Sequence, residues 1–303
     1  MAGTDRMPAL SLVAMPGRRV KTLELAREME ERGFAGIFGP SFGDVISLCL
    51  SIGHVTEHIP FGSSIQPIYL RPAADVAQTA SYLAEVTGGR FHLGLGVSHG
   101  PVHQRLGVTP GKPLADTRAY VETIRKVIGD NACPPIVLAT LRTKMLQLAV
   151  EIADGAVWAN AARSHMRSSL QVVPADRIEG GFYVGNMIPT VIDDDRDAAR
   201  AVNRKTLTGY VALPNYRNYW KEAGYVEEME GIEKALAAGD REAVSRCMTD
   251  AWLDDCTLSG SAAQVRDGIE AWFDAGVSTP IVVPSSTSGG QLKAIEEIFA
   301  AYS

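Results

Sequence analysis

The sequence contains few cysteines, and they are scattered. Its 303 residues include only four, at Cys49, Cys133, Cys247 and Cys256, and no two of them form a C-x-x-C pair. Thiols arranged in this way are typical of reduced proteins in the cytoplasm. The first residues, Met1–Pro8, also lack the charged and then apolar order of a signal peptide. We therefore expect a cytoplasmic protein.

Long apolar runs and blocks of positive charge are missing as well. No apolar run reaches the roughly 18 residues that span a bilayer, so we expect no membrane segment. Lysine and arginine number 29 against 35 aspartate and glutamate, which gives a formal net charge of −6. Nucleic acids and anionic membranes attract basic surfaces, so neither is expected as a partner. Hydrophobic residues make up 46% of the chain, which argues against disorder.

The most informative stretch is Gly89–Pro101, which predicts a buried strand that runs into a polar turn. Its first half is apolar at nearly every position, as in a parallel strand that is covered on both faces. Gly94 and Gly96 weaken a strand, so they suggest that something approaches the backbone closely there. Ser98 and His99 follow at the carboxyl end, where β/α folds hold ligands and chemistry. A strand that merely ends in a polar turn is the alternative.

Strand and helix patterns alternate along the whole chain. Short apolar runs are followed by amphipathic segments, one of them capped by Asp44 and others ended by Gly33 and Gly276. Eight strands that alternate with helices over this length predict an α/β protein, a single (β/α)8 TIM barrel over residues 1–303. A surplus at Leu213–Ser259 predicts additional helices between the seventh helix and the eighth strand.

Two pairs of histidines are compatible with metal binding on spacing alone. His54–His58 fits the H-x-x-E-H pattern, but Ile59–Pro60 follow at once and place it at a helix end, so we expect no zinc site. His99 and His103 are four residues apart, but Gly100–Pro101 argues against a regular helix between them. A single histidine after a strand is better suited to donate a hydrogen bond or carry a proton. A solvated loop histidine is the alternative.

Two polar loops are candidate anion sites. Thr140–Lys144 lies between the fifth strand and its helix, where backbone N–H groups and two cationic side chains favour a phosphate. An exposed basic turn is the alternative, and the sequence alone favours it slightly. Ser285–Gly290 follows the eighth strand and is either a second anion nest or a flexible loop. Trp158 and Trp220 either line an apolar pocket or fill the core.

Segments along almost the whole chain resemble the bacterial luciferase-like superfamily of flavin and deazaflavin oxidoreductases. The matching segments are Ala26–Phe34, Thr56–Glu57, Gly88–Gly96, Ile152–Gly155, Tyr210–Gly224, Gly260 and Ala275–Val277. The Gly-Gly-Arg-Phe-x-Leu-Gly-Leu-Gly order within Gly88–Gly96 is the most specific of them. Lys144–Leu146 ahead of Ala153–Gly155, together with Val97–Val102, resembles the branch that uses the deazaflavin coenzyme F420.

The resemblance implies an F420-dependent oxidoreductase on a (β/α)8 barrel. Such an enzyme transfers a hydride between C5 of the deazaflavin and a small organic substrate with a C=C, C=N or alcohol/carbonyl group. His99 and Ser98 are the implied catalytic residues. The implied cofactor-binding residues are Pro40, Ser41, Ser64, Ile65, Ser98, Ala139, Thr140, Leu141, Arg142, Trp158, Ala159 and Asn160. Ser64 and Ile65 are expected to lie behind the ring, across a non-prolyl cis peptide bond.

The sequence departs from the family pattern at three places. Pro40–Ser41 stand where many members have Asp-His, His99 stands where some sugar-phosphate dehydrogenases have a glutamate, and Leu141–Arg142 replace glycines. These departures weaken the case for a sugar-phosphate substrate. Two alternatives stay open: an FMN-dependent monooxygenase on the same barrel, and a non-catalytic flavin-binding or assembly subunit. Members usually form dimers through barrel helices, so we expect a homodimer.

Overall fold

The computed structural model describes residues 6–303, except for the side chain of Leu106. Residues 1–5, which belong to the stretch expected to lack a signal peptide, lie outside the described residues. Ten strands lie within the described range: β1 Ala9–Ser11, β2 Gly36–Gly39, β3 Phe61–Ser63, β4 Gln66–Pro67, β5 Phe91–Gly96, β6 Ile136–Ala139, β7 Gly155–Ala159, β8 Tyr183–Ile192, β9 Leu258–Gly260 and β10 Thr279–Ser285.

Fifteen helices lie within the same residues. They are α1 Arg19–Glu31, α2 Val45–Val55, α3 Ala73–Val86, α4 Gly100–Leu106, α5 Pro113–Ile128, α6 Thr143–Ile152, α7 Arg163–Leu170, α8 Ala175–Glu179, α9 Arg196–Val211, α10 Pro214–Glu222, α11 Val226–Ala238, α12 Arg241–Cys247, α13 Asp250–Cys256, α14 Ala262–Asp274 and α15 Gln291–Ala301. This element order is that of a (β/α)8 barrel, which confirms the predicted fold class. The additional helices predicted at Leu213–Ser259 are α10 to α13.

The chain forms two compact units. The first comprises residues 7–158 and 172–185, and the second comprises residue 6 together with residues 159–171 and 186–303. In the first unit, β1, β2, β3, β5, β6 and β7 pair in this order, all parallel, and β4 also pairs with β5. In the second unit, β8 pairs with β9 and with β10. The single domain over residues 1–303 stays a prediction.

The strand registers of the first unit separate its sheet into two faces. A Cβ on Gly39 would meet Val45 and Leu48 of α2, so this position faces the helices. Side chains alternate along each strand and align across parallel pairs, so the registers carry the helix-facing side from β2 to β7. Ala156 and Trp158 lie on that side. The alternate residues of each strand point to the opposite side, which we call the inner face.

Most helix ends follow from local signals in the sequence. The carboxylate of Asp44 accepts from the backbone N–H of Ser47 at 3.1 Å, which caps α2 as predicted. Gly33 has φ +77°, as expected for the glycine that ends a helix. The prediction that Gly100–Pro101 prevents a helix is wrong. Both residues lie in the first turn of α4, where a proline loses no intrahelical bond.

The turn before β3 explains the H-x-x-E-H segment without a metal. The carboxylate of Glu30, on α1, accepts from the backbone N–H groups of Glu57, His58 and Ile59 at 2.6–3.0 Å. From the other side, Arg90 donates to four oxygens, of Gly53, Thr56 and Ile59. We call these contacts the Glu30–Arg90 latch. The segment therefore lies at a helix end, as predicted, and the latch gives three of the family-like motifs a structural role.

Candidate active site

Three rings occupy the inner face below the carboxyl ends of the strands. Phe38, His92 and Tyr183 pack with ring centroids 5.7–6.2 Å apart, in edge-on or tilted contacts. Burial lowers the pKa of the His92 imidazole, against a weaker opposing effect of Asp154, so the ring is neutral at pH 7. These rings fill the inner face at this level, and any ligand must lie closer to the carboxyl ends.

Above the rings, small and aliphatic residues replace the aromatic ones. A Cβ built on Gly96 would come within 2.9 Å of both Ile65 and the Ala139 methyl group, so these three residues are neighbours on the inner face. Ile65 and Ala139 are each partly exposed. We call this surface, formed by Ile65, Gly96 and Ala139, the apolar ledge. The peptide bond between Ser64 and Ile65 is cis, which confirms the predicted irregularity in the third strand.

The predicted close approach at Gly94 and Gly96 exists, but the chain itself makes it. A Cβ on Gly94 would collide with the carbonyl oxygen of Ser63, and the Ser63 hydroxyl donates to the Gly94 carbonyl at 2.8 Å. At Gly96 the approaching group is the Ile65 side chain. The two glycines therefore let the third strand lie against β5, and they contribute to the site by setting the position of Ile65.

Ser98 and His99 form a polar turn beside the apolar ledge. Ser98 has φ +60°, in the left-handed region that residues other than glycine adopt infrequently. His99 is extended and is the N-cap residue of α4. Both residues are partly exposed, and the His99 imidazole is mostly buried. The two predicted catalytic residues thus follow Gly96 of β5 by two and three positions, and Ile65 packs against Gly96.

His99 is in its neutral form at pH 7. Burial, and after it the electrostatic effect of the neighbouring His103, lowers the pKa of the His99 imidazole below its usual value. A neutral imidazole accepts a proton readily, whereas it must first be protonated to donate one. The environment of His99 therefore favours the role of proton acceptor at neutral pH and that of donor in mild acid.

The β6–α6 turn carries three of the predicted cofactor contacts. Thr140 is buried, donates its backbone N–H to the Val157 carbonyl at 2.9 Å, and has a hydroxyl without a partner within residues 6–303. Leu141 is partly exposed and Arg142 is exposed as the N-cap residue of α6, whose first turn has no side-chain cap. The first-turn N–H groups and Arg142 retain the features expected of a phosphate site, which stays a prediction.

The other predicted cofactor residues lie in different surroundings. Pro40 is partly exposed and Ser41 is exposed, directly after β2. Trp158 is 1% exposed and on the helix-facing side, so its indole fills the core of the first unit. Ala159 ends β7 and is partly exposed. Only the backbone of Trp158 therefore lies near the inner face.

Asn160 is held within the second unit. It has φ +58°, donates its backbone N–H to the Met187 carbonyl at 3.0 Å, and accepts from the indole N–H of Trp220 at 3.1 Å. Trp220 is fully buried and packs edge-on against Trp252, so the core explanation for this tryptophan is confirmed. The left-handed conformations of Asn160 and Ser98, each just beyond a strand, mark the two turns whose backbones are most restricted.

The remaining motifs are the histidine pairs and the loop after β10. No group of three or more metal-ligating side chains occurs within residues 6–303. In the loop after β10, the hydroxyls of Ser286 and Thr287 donate to the carboxylates of Glu297 and Asp193. Two carboxylates beside these hydroxyls disfavour a phosphate there. No helix within the described residues is long and apolar enough to cross a membrane.

The sequence model of the luciferase-like monooxygenase family matches residues 12–279, most of the chain. The chain belongs to the luciferase-like monooxygenase family. The resemblance predicted from Gly88–Gly96 and the other segments is therefore confirmed.

Relatives within the luciferase-like family cover nearly the whole chain. A Mycobacterium tuberculosis protein, provisionally named a coenzyme F420-dependent oxidoreductase, is 26% identical over 87% of this chain and 90% of its own. The 5,10-methylenetetrahydromethanopterin reductase of Archaeoglobus fulgidus is 26% identical over 84% of this chain and 85% of its own. Among solved structures, the coenzyme F420-dependent tetrahydromethanopterin reductase of Methanopyrus kandleri superposes with a TM-score of 0.74 at 18% identity, covering 98% of this chain and 100% of that one. This last likeness shows a shared fold.

Proposed function

We propose that this luciferase-like protein is an F420-dependent oxidoreductase that transfers a hydride between the deazaflavin and a small organic substrate. The observation that most strongly supports this proposal is the apolar ledge of Ile65, Gly96 and Ala139 beside the Ser98–His99 turn. A flat ring needs an apolar surface at its back and polar groups at its edge, and this arrangement offers both. The names of the relatives support F420 as the ring.

The residues present fit such a cofactor. The ledge is partly exposed and made of small or aliphatic side chains, which suits the face of a tricyclic ring. The buried Thr140 hydroxyl lacks a partner in the described chain and offers a hydrogen bond to a polar group of the cofactor. The N–H groups at the start of α6, with Arg142 next to them, suit the phosphate.

When bound, the deazaflavin supplies an obligate two-electron hydride carrier. The chain supplies position, the exclusion of water and one proton transfer. Ile65 would support the ring, and the Ser98 hydroxyl would be available to donate a hydrogen bond to it. His99 accepts a proton from a substrate hydroxyl when an alcohol is oxidised, and returns it when a C=O, C=N or C=C group is reduced. Its lowered pKa leaves it unprotonated at neutral pH, which is the form that accepts a proton when an alcohol is oxidised.

The proposal is tested by titrating the purified protein with F420 and with FMN in separate experiments. Each reduced cofactor is then assayed for oxidation by substrate candidates, with and without oxygen. Binding of F420 with anaerobic turnover supports the proposal. Binding of FMN with oxygen consumption contradicts it and supports the monooxygenase alternative. Failure to bind either cofactor contradicts both and supports a non-catalytic subunit.

We also propose that the protein is a homodimer, because a symmetric dimer is the commonest assembly of soluble oligomers and the family usually forms one. Light scattering at micromolar protein concentration tests this. A mass of about twice the 32.5 kDa of the chain is expected, and a monomer would contradict it.

A further inference from the structure

The side chain of His103 returns from α4 to the end of β5. Its Nε2 lies 2.6 Å from the carbonyl oxygen of Val97. A carbonyl only accepts hydrogen bonds, so Nε2 carries the proton and donates it. The backbone N–H of the same residue donates to the His99 carbonyl at 3.1 Å. His103 therefore binds the residue before Ser98 and the residue after it, and closes the turn from both ends.

The ring of His103 is held from its far side. Tyr69 meets it edge-on, with ring centroids 5.3 Å apart and an interplanar angle of 88°. The Tyr69 hydroxyl donates to the Asp116 carboxylate on α5 at 2.6 Å. Burial, and then this hydrogen bond, raises the pKa of Tyr69 to about 12, so the hydroxyl keeps its proton at neutral pH. Because Tyr69 follows β4, the same contacts connect the two segments that carry Ile65 and Ser98.

The Ser98 turn has a conformation that requires support. Ser98 is in the left-handed region, which a residue with a Cβ adopts only where the surroundings enforce it. No side chain caps the start of α4. The His103 donor supplies a side-chain bond to this turn. Without it, the carbonyl of Val97 loses this partner and the turn is free to relax toward a commoner conformation.

We propose that His103 is a positioning residue, which holds Ser98 and His99 in register with the apolar ledge through its bond to the Val97 carbonyl. The expected effect of His103 on turnover rests on the proposed hydride-transfer function. What matters is the N–H donor at the position of Nε2. Glutamine places an amide N–H donor at a comparable reach, whereas leucine fills similar space without a donor.

The first test needs no cofactor. Amide hydrogen exchange is measured over residues 97–103 in the wild type, His103→Leu, His103→Gln and the matched control Gln104→Leu, an exposed position on the same helix. We expect exchange in this segment to rise about tenfold or more in His103→Leu and to stay within about threefold in the other two variants. Equal exchange in all four proteins, or equal loosening in His103→Gln and His103→Leu, overturns the proposal.

The second test is turnover with F420. His103→Leu is expected to lower kcat by about 10–100-fold with little change in the F420 dissociation constant, and His103→Gln to restore most of it. A His103→Leu enzyme that loosens in exchange but keeps its kcat shows that the bond is structural only, and overturns the positioning role. A wild type that exchanges as expected but does not turn over F420 instead overturns the proposed function, and the positioning role with it.

Discussion

Replacement of Glu30 by alanine removes one side of the Glu30–Arg90 latch. Three backbone N–H groups then lose their acceptor. Glu57 and His58 are exposed, so water replaces the carboxylate there, at about 0.5–1.5 kcal/mol or less for each bond. Ile59 is only 4% exposed, and an unsatisfied buried donor costs about 1–3 kcal/mol. We therefore expect Glu30→Ala to lower the free energy of unfolding by about 2–4 kcal/mol at pH 7.

The same carboxylate makes the effect dependent on pH. Burial alone would raise the pKa of Glu30, but the N–H groups of His58, Ile59 and Glu57 together outweigh it and lower the pKa. A lowered folded-state pKa stabilises the protein above the unfolded value, about 4.3, and this stability is lost as the pH falls through the folded value. Glu30→Gln keeps an acceptor but cannot ionise, so its unfolding free energy should change less between pH 7 and pH 3 than that of the wild type.

Urea unfolding of both variants at pH 7 and in acid provides the assay, because the midpoint and slope yield the free energy of unfolding. Glu31→Ala is the matched control, since Glu31 is the next residue of α1 and is exposed. It should stay within about 0.5 kcal/mol of the wild type. A Glu30→Ala protein that is equally close to the wild type would refute the latch as a stabilising element.

Two further predictions concern the site and the sheet. His99→Ala should lower turnover by about 10²–10⁴-fold while F420 affinity stays within a few fold, and the wild-type inflection below neutral pH, where His99 titrates, should disappear from its pH profile. Near-normal turnover with an unchanged pH profile would contradict this role and indicate that water transfers the proton. Gly94→Ala should destabilise the fold by about 3 kcal/mol, because its Cβ meets the Ser63 carbonyl, whereas Gly209→Ala, in open space on α9, should stabilise it by up to about 1 kcal/mol. Equal unfolding midpoints would contradict the packing described at Gly94.

Alternation and helix-end signals were sufficient to predict the fold class. They also located the additional helices within Leu213–Ser259, which are α10 to α13. The helices α7 and α8 were missed because they bury only Met166 between them, so their sequences lack an apolar period. The segment at α4 was misjudged because a proline that breaks a helix interior is favourable in its first turn.

The candidate site was predictable in position but not in detail. A strand followed by Ser98–His99 locates the carboxyl end, and the family resemblance supplies Ser64–Ile65. Sequence alternation shows that Trp158 shares a face with Ala156, but only the register to Gly39 and α2 reveals that this face is covered by helices. The bond from His103 to Val97 had no sequence signal, because it depends on α4 turning back over the end of β5.

The F420 affinity of an Ala139→Phe variant is the most direct test of whether the deazaflavin ring lies on the apolar ledge. Ala139 is partly exposed on the apolar ledge, so a phenyl ring there covers the ledge without entering the core. We expect the wild type to bind F420 and the variant to bind it at least about 100-fold more weakly, with a nearly unchanged thermal unfolding temperature. Fluorescence titration of the deazaflavin measures both affinities. Equal F420 affinity in the two proteins would contradict this placement, because the ring would then lie elsewhere.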